Sequence, residues 1–176
     1  MTWRLEHGDA LTTVLRKAEA NDWPYIDSMR KREGDALGFI PKDAYLSVLS
    51  RAPVDGRARW AYQGLWLIED NGDRTGYVYA SFVWPLAKVF QIVVQEDARR
   101  WERATRLLDR VEISAVERGL QGVECRVAMD LEANAFWKAL GYEPQGLVSS
   151  TWLNQREAVS KRMLVHYVKR FMGMLE

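Results

Sequence analysis

Asn71-Gly72 stands between two runs, GLWLIED and TGYVYASFVW, that are rich in β-branched, aromatic and aliphatic residues. Asn-Gly tolerates the consecutive positive φ angles of the tightest hairpin turns. Leu65 to Glu69 and Thr75 to Trp84 are therefore expected to pair antiparallel, which commits the middle of the chain to a sheet. Lys88 to Gln95 (KVFQIVVQ) reads as a third strand. The period then changes: Ala104, Leu107, Leu108, Val111 and Ala115 recur at helical spacing from Arg99 to near Gly119. Gly122 to Ala128 reads as a fourth strand and Leu131 to Leu140 as a short helix, with Asp130 as its N-cap and Gly141 as its stop. A helix crossing between two strands implies a mixed sheet, an α/β or α+β fold in which the helices flank the sheet.

The flanks are read more coarsely. Thr2 to Glu6 is a short candidate strand, and Asp9 to Ser50 reads as helical in two or three pieces. Its breaks fall at Asn21 to Pro24 and Gly34 to Pro41, with Pro41 suited to opening a helix. Arg51 to Arg59 is a basic, turn-rich loop. For Arg162 to Phe171, helical and strand periods both fit, so the sequence leaves both open.

With 176 residues, no repeat and no linker, one domain is expected, burying about 70% of its unfolded surface. Its 25 basic and 24 acidic residues give a net charge of +1, so any nucleic-acid affinity would have to be local. Cys125 is the only cysteine, which excludes an internal disulfide and a cysteine-based metal site. A reducing cytoplasm fits that usage. No signal-peptide core and no run of about 18 apolar residues is present, so neither export nor a membrane span is expected.

Two places could carry chemistry. A strand that ends at Gln95 meets a helix that begins near Arg100, where first-turn N–H groups, the positive helix end and Arg99, Arg100 and Arg103 would together suit an anion. The alternative is a solvated arginine cluster. The second place is MDLEANAFWKALGY, in which Ala133, Phe136, Trp137 and Leu140 share an apolar face while Asn134 needs a partner for its amide.

The spacing of Val94, Arg99, Ala104, Leu107 and Leu108, with the later A-N-x-F-W-x-x-L-G-Y, resembles the GNAT family of acyl-CoA-dependent N-acyltransferases. The A-L-G-F-I-P-K run at Ala36 to Lys42 resembles a bacterial subgroup of it. The resemblance implies a splayed mixed, mostly antiparallel sheet, and acetyl transfer from acetyl-CoA to a primary amine by direct attack, without a metal. The family's phosphate loop, Q/R-x-x-G-x-G/A, falls on Arg99, Arg100, Trp101, Glu102, Arg103 and Ala104, with Thr105 following. It implies that this loop holds the coenzyme pyrophosphate, that the backbone of Ile92, Val93 and Val94 pairs with the pantetheine arm, and that strands splayed around Val94 and Val123 admit the thioester. Asn134 and Trp137 stand at further coenzyme-contact positions.

Two departures matter. Glu102 replaces the middle glycine, adding a Cβ where a positive φ is wanted and a carboxylate where the diphosphate should lie. Either it turns outward and the arginines compensate, or the coenzyme binds weakly. Trp137 replaces the tyrosine that commonly protonates the thiolate, leaving Tyr142 and Tyr79 as substitutes. For the base, Glu124 is the candidate, with Arg126 on the same strand face as an equally good ion-pair partner, while Gln91 could orient a water. His7 and His166 read as ordinary surface or core histidines, and Cys125, mid-strand among apolar neighbours, as inert.

Acetyl-CoA and an amine acceptor are the expected partners, with a monomer or homodimer. A nucleobase- or aminoacyl-tRNA-directed member, using Arg51, Arg57, Arg59 and Trp60, is the alternative enzyme. A degenerate, non-catalytic binding protein is the alternative outside enzymes.

Overall fold

The computed structural model describes residues 12–53, 56–99, 102–153 and 159–172, with the side chains of 151–153 and 159–160 left aside. The candidate strand at Thr2 to Glu6, His7, Arg100 and Trp101 lie outside the described residues. Seven strands form one sheet: β1 (Thr13–Lys17), β2 (Gln63–Asp70), β3 (Asp73–Val83), β4 (Leu86–Val94), β5 (Gly122–Ala128), β6 (Glu143–Leu153) and β7 (Val159–Arg170). Their order across the sheet is β1-β2-β3-β4-β5-β7-β6. Every neighbouring pair is antiparallel except β4 and β5, which run parallel. That exception follows from chain order, because helix α3 (Arg103–Glu117) carries the chain back between them.

Side chains alternate across the sheet into two cores. On one face Trp66, Ile68, Val78, Val89, Val123 and Val127 meet Leu107, Leu108, Val111 and Ala115 of α3 and Trp137 of α4 (Ala133–Ala139). On the other, Leu65, Leu67, Tyr77, Tyr79 and Val93 meet Ile26 and Met29 of α1 (Trp23–Arg32) and Tyr45 and Leu49 of α2 (Lys42–Ser50). Each such aliphatic side chain contributes about 1.5–3 kcal/mol through burial. Pro24 lies in the first turn of α1 and Pro41 is the residue on which α2 begins, so both prolines fall where a missing N–H costs nothing.

The hairpin at Asn71-Gly72 forms as expected, with φ of 51° and 90°. Two expectations are corrected, and one reading that the sequence left open is decided. Thr13–Lys17 is an edge strand rather than helix; Thr13 Oγ1 donates to Asp70 at 2.7 Å and Arg16 bonds Glu69, partners 50 and more residues away that no local period reports. The tail is a strand, β7, held between β5 and β6, and β6 itself has no counterpart in the sequence reading. Asp130 does not cap α4, which starts after Glu132 without a side-chain cap; Asp130 pairs with Arg162 Nη2 at 3.0 Å instead.

Candidate active site

β4 and β5 pair only from Ala87 opposite Val123 to Val89 opposite Cys125, and then separate. Two features drive them apart. β4 bulges at Phe90: Gln91 faces Tyr79 and Val89 faces Ala80, leaving Phe90 as the extra residue that bends the strand. β5, meanwhile, stays paired with β7 along its whole length, from Gly122–Arg170 to Ala128–Leu164, and so follows β7 away from β4. Val123 therefore belongs to the closed base of the split and not to its arms, which are Phe90–Val94 and Arg126–Ala128.

The split is a cleft of about 230 Å³, walled by β4, β5, the α1–α2 connection at Ala36 to Gly38, and Leu131, Ala133 and Trp137 at α4. Among the described residues no strand pairs with the Phe90–Val94 edge that faces β5, so its backbone groups are left for an extended ligand. At the far end of this edge a single 3-10 turn (Glu96–Ala98) leads to the start of α3, whose N-terminus no side chain caps. Glu102 precedes it at φ 59°, ψ 11°, the left-handed conformation that a glycine would accept without strain, and its side chain is exposed. The chain thus keeps the turn without the glycine. The first-turn N–H groups at Ala104 and Thr105 and the positive helix end converge there.

The two described arginines of this junction have other partners. Arg103 is buried, with Nη2 2.9 Å from Asp70, and ties the first turn of α3 to the β2–β3 hairpin; it does not face the junction as free charge. Arg99 is half exposed, its Nη2 2.9 Å from Glu33 Oε1 while its Nε donates to the Val94 carbonyl at 3.1 Å. Arg99 is therefore the arginine that sits between the free edge of β4 and the start of α3.

Two of the expected catalytic side chains are placed away from the cleft, and a third lines it with partners of its own. Tyr142 donates to Glu112 Oε1 at 3.0 Å beneath α3, its hydroxyl pushed well above the ordinary range by burial and by the Glu112 charge. Tyr79 points under α2, donating to Gln63 Oε1 at 2.6 Å, and burial raises it too. Neither lines the cleft. Gln91 does: Nε2 donates one N–H to the Gly38 carbonyl at 2.7 Å while Oε1 accepts from Tyr77 at 2.8 Å and from Tyr45. It straps the α1–α2 connection to β4.

Asn134 is likewise committed within the protein. Its Nδ2 donates to the carbonyls of Ala128 (2.8 Å) and Leu131 (2.7 Å), closing the β5–α4 turn, and its Oδ1 accepts from Tyr167 at 3.1 Å. Trp137 is buried at the cleft wall, edge-on to Phe136 at 5.5 Å and Tyr142 at 4.9 Å. Cys125 also lines the wall; burial raises its thiol far above the ordinary value, in keeping with an inert side chain.

Glu124 is where the sequence and the structure meet and then part. Its partner is not Arg126 but His166 of β7, with Nε2 2.8 Å from Oε2 and both side chains about one-quarter exposed. The pair lies on the sheet face left uncovered by α1 and α2, beside Lys88, which is register-paired with Glu124, and Arg126, which is register-paired with His166. Burial, reinforced by the Arg126 charge and opposed by Glu124, lowers Lys88 from its usual value. Sequence reasoning passed over His166 because 42 residues separate it from Glu124 and only the β5–β7 pairing joins them. The loop residues Arg51 and Trp60 meet Lys17, Trp66 and Arg118 around a second cavity of about 290 Å³, at the far end of β2 from the α3 start.

A split parallel pair in a mixed, mostly antiparallel sheet flanked by helices, with a strand edge leading from the split to a helix start, is the frame of the site. A sequence profile of the acetyltransferase (GNAT) family matches residues 24–142, and the chain belongs to that family. It is an acetyl-CoA-dependent N-acetyltransferase. Among solved structures, the chain is similar to Arabidopsis thaliana NAA60 in complex with acetyl-CoA, at TM-score 0.73 and 13% identity over 92% of this chain and 100% of that one. It is also similar to the ribosomal-protein-S18-alanine N-acetyltransferase of Escherichia coli, at TM-score 0.68 and 16% identity over 90% and 94%. A putative streptothricin acetyltransferase from Bacillus anthracis, in complex with acetyl coenzyme A, gives TM-score 0.61 and 13% identity over 91% and 100%. No curated protein sequence matches.

Proposed function

We propose that the chain acetylates a primary amine by direct attack, with His166 held by Glu124 as the group that takes the amine's proton. The observation that carries this reading is the 2.8 Å contact of His166 Nε2 with Glu124 on the open face beside the split. An ionised carboxylate can only accept, so Nε2 carries a hydrogen, and in the neutral ring Nδ1 is the nitrogen whose lone pair takes a proton. Acetyl-CoA, when bound, supplies an activated acyl group on sulfur. The Phe90–Val94 edge holds the pantetheine arm in this reading, with Ile92, Val93 and Val94 offering backbone groups, and the first turn of α3 at Ala104 and Thr105, with Arg99, receives the phosphates. Trp137 shapes the wall and excludes water; it cannot serve as an acid. A thiol's pKa of about 8.5 makes the thiolate a tolerable leaving group without one.

A lone cysteine that needs no oxidising compartment fits a cytoplasmic enzyme. Among the described residues no helix is long and apolar enough to cross a membrane.

Binding and chemistry are tested separately. Acetyl-CoA should raise the melting temperature of the wild-type chain through mass action on the folded state. His166→Ala should keep that shift while kcat falls about 10²–10⁴-fold against a panel of amines, and Glu124→Gln should fall less. Undiminished turnover in His166→Ala would remove the histidine from the mechanism.

A further inference from the structure

Among the described residues, Lys88 is the only lysine that lines the cleft. Lys31 reaches Asp27 at 2.6 Å and Lys169 reaches Glu112 at 2.9 Å, whereas Lys88, among the described residues, has no carboxylate within ion-pair distance. Its Nζ lies 5.7 Å from the centroid of the Phe90 ring, two residues further along β4. The side chain therefore runs along the strand toward the bulge at which β4 and β5 part, the closed end of the acyl cleft. Glu124 stands directly across from it in register, and Glu124 holds His166. Arg126 also lines the cleft and repels a positive charge there; partial burial works in the same direction.

We propose that Lys88 is itself an acyl acceptor, so that the protein acetylates its own cleft. The inference rests on the acetyl transfer described above and adds an acceptor carried by the chain. The neutral Nζ attacks the thioester carbonyl carbon. The N–C bond forms as the C–S bond breaks, the sulfur leaves with the electron pair and is protonated to the thiol, and the proton released from nitrogen passes to His166 Nδ1 and on to solvent. The products are Nε-acetyl-lysine at position 88 and free coenzyme thiol. Acetylation replaces a cationic tip with a bulkier neutral amide inside a cleft of about 230 Å³, which shrinks the space left for any other acceptor and makes the reaction self-limiting.

The test uses the full-length protein incubated with acetyl-CoA and no added amine, followed by intact mass and peptide mapping. Lys88 should gain one acetyl group with a first-order rate that does not change when protein concentration is varied ten-fold. His166→Ala should slow it about ten-fold or more, and Lys88→Arg should abolish the mass gain. Trace labelling with acetic anhydride in the absence of coenzyme reads the amine directly: Lys88 should reach half-maximal reactivity at a lower pH than Lys31 and Lys169. Two results overturn the inference while leaving the acetyltransferase reading intact. One is an unmodified Lys88 in a protein whose melting temperature acetyl-CoA raises. The other is Lys88 acetylation that is equally fast in His166→Ala and at Lys31, which is plain chemical acetylation. Absence of any acetyl-CoA effect on melting, together with an unmodified Lys88, overturns both.

Discussion

Glu102 holds a left-handed conformation, φ 59°, in a position where side chains other than glycine pay about 1–2 kcal/mol. The strain persists because the helix side of the turn is anchored: Arg103 is buried against Asp70, and Arg106 N–H already bonds the Glu102 carbonyl at 3.0 Å. Of the two outcomes the sequence leaves for Glu102, the structure favours the outward one, since the side chain is exposed and leaves the backbone N–H groups uncovered. Its carboxylate still stands at the positive end of α3, where it competes with an anionic ligand through charge alone. Glu102→Gly is therefore expected to be neutral or stabilising, by up to about 1 kcal/mol, because relief of strain is offset by the added freedom of the unfolded chain. It should also tighten acetyl-CoA several-fold, whereas Arg99→Ala should weaken it. Isothermal titration of the two variants decides the point, and weaker binding in Glu102→Gly would show that the carboxylate has a positive role.

At the scale of elements, what the sequence shows is what local period and turn chemistry encode. The β2–β3 hairpin, β4, α3 and β5 are legible because Asn71-Gly72, the period-two runs and the Leu107, Leu108, Val111 stripe each report on their own neighbourhood. β1 and β7 are not, since both are strands only through partners far along the chain: Thr13 against Asp70, and His166 against Arg126. The Glu124–His166 pair inherits that blindness, and so does the true width of the cleft, which depends on β5 following β7. Asn134 stands at a family position, and its side chain here closes a turn. Asn134→Ala leaves the Ala128 and Leu131 carbonyls and the Tyr167 hydroxyl without this partner, a loss of about 1–3 kcal/mol. For a chain of this size that lowers the melting temperature by several degrees. The acetyl-CoA Kd should stay within about two-fold; a large rise in Kd with unchanged melting would instead place the amide on the coenzyme.

The whole molecule is fastened around one buried carboxylate. Asp22, at the start of α1, accepts from Arg16 of β1 at 2.8 and 2.9 Å, from Arg74 of β3 at 2.7 Å and from the Glu19 N–H at 2.8 Å, while Arg16 also bonds Glu69 of β2 at 2.6 Å. Two strands and a helix thus meet at a side chain with no solvent exposure, and Arg16 ties a third strand to it through Glu69. Burial alone would raise its pKa, but the hydrogen bonds from Arg16, Glu19 and Arg74 outweigh it and lower the group from 3.8 to about 2. Because the folded value lies below the unfolded one, the stabilisation is fully present above about pH 4 and is lost as pH falls through about 2. The shift corresponds to about 2 kcal/mol. Asp27 and Asp70 are shifted downward too, by Lys31 and Arg30 and by Arg103 against the opposing effect of burial, so the acid limb is shared. Asp22→Asn should cost about 3 kcal/mol at neutral pH, since it leaves Arg16 and Arg74 without their common anion. Urea unfolding of wild type and variant at pH 7 and near pH 2 measures this. The gap between them should narrow by about 2 kcal/mol at the lower pH, where the wild-type carboxylate is itself becoming neutral, and a gap that stays constant would mean that the geometry of the side chain, and not its charge, holds the strands and α1 together.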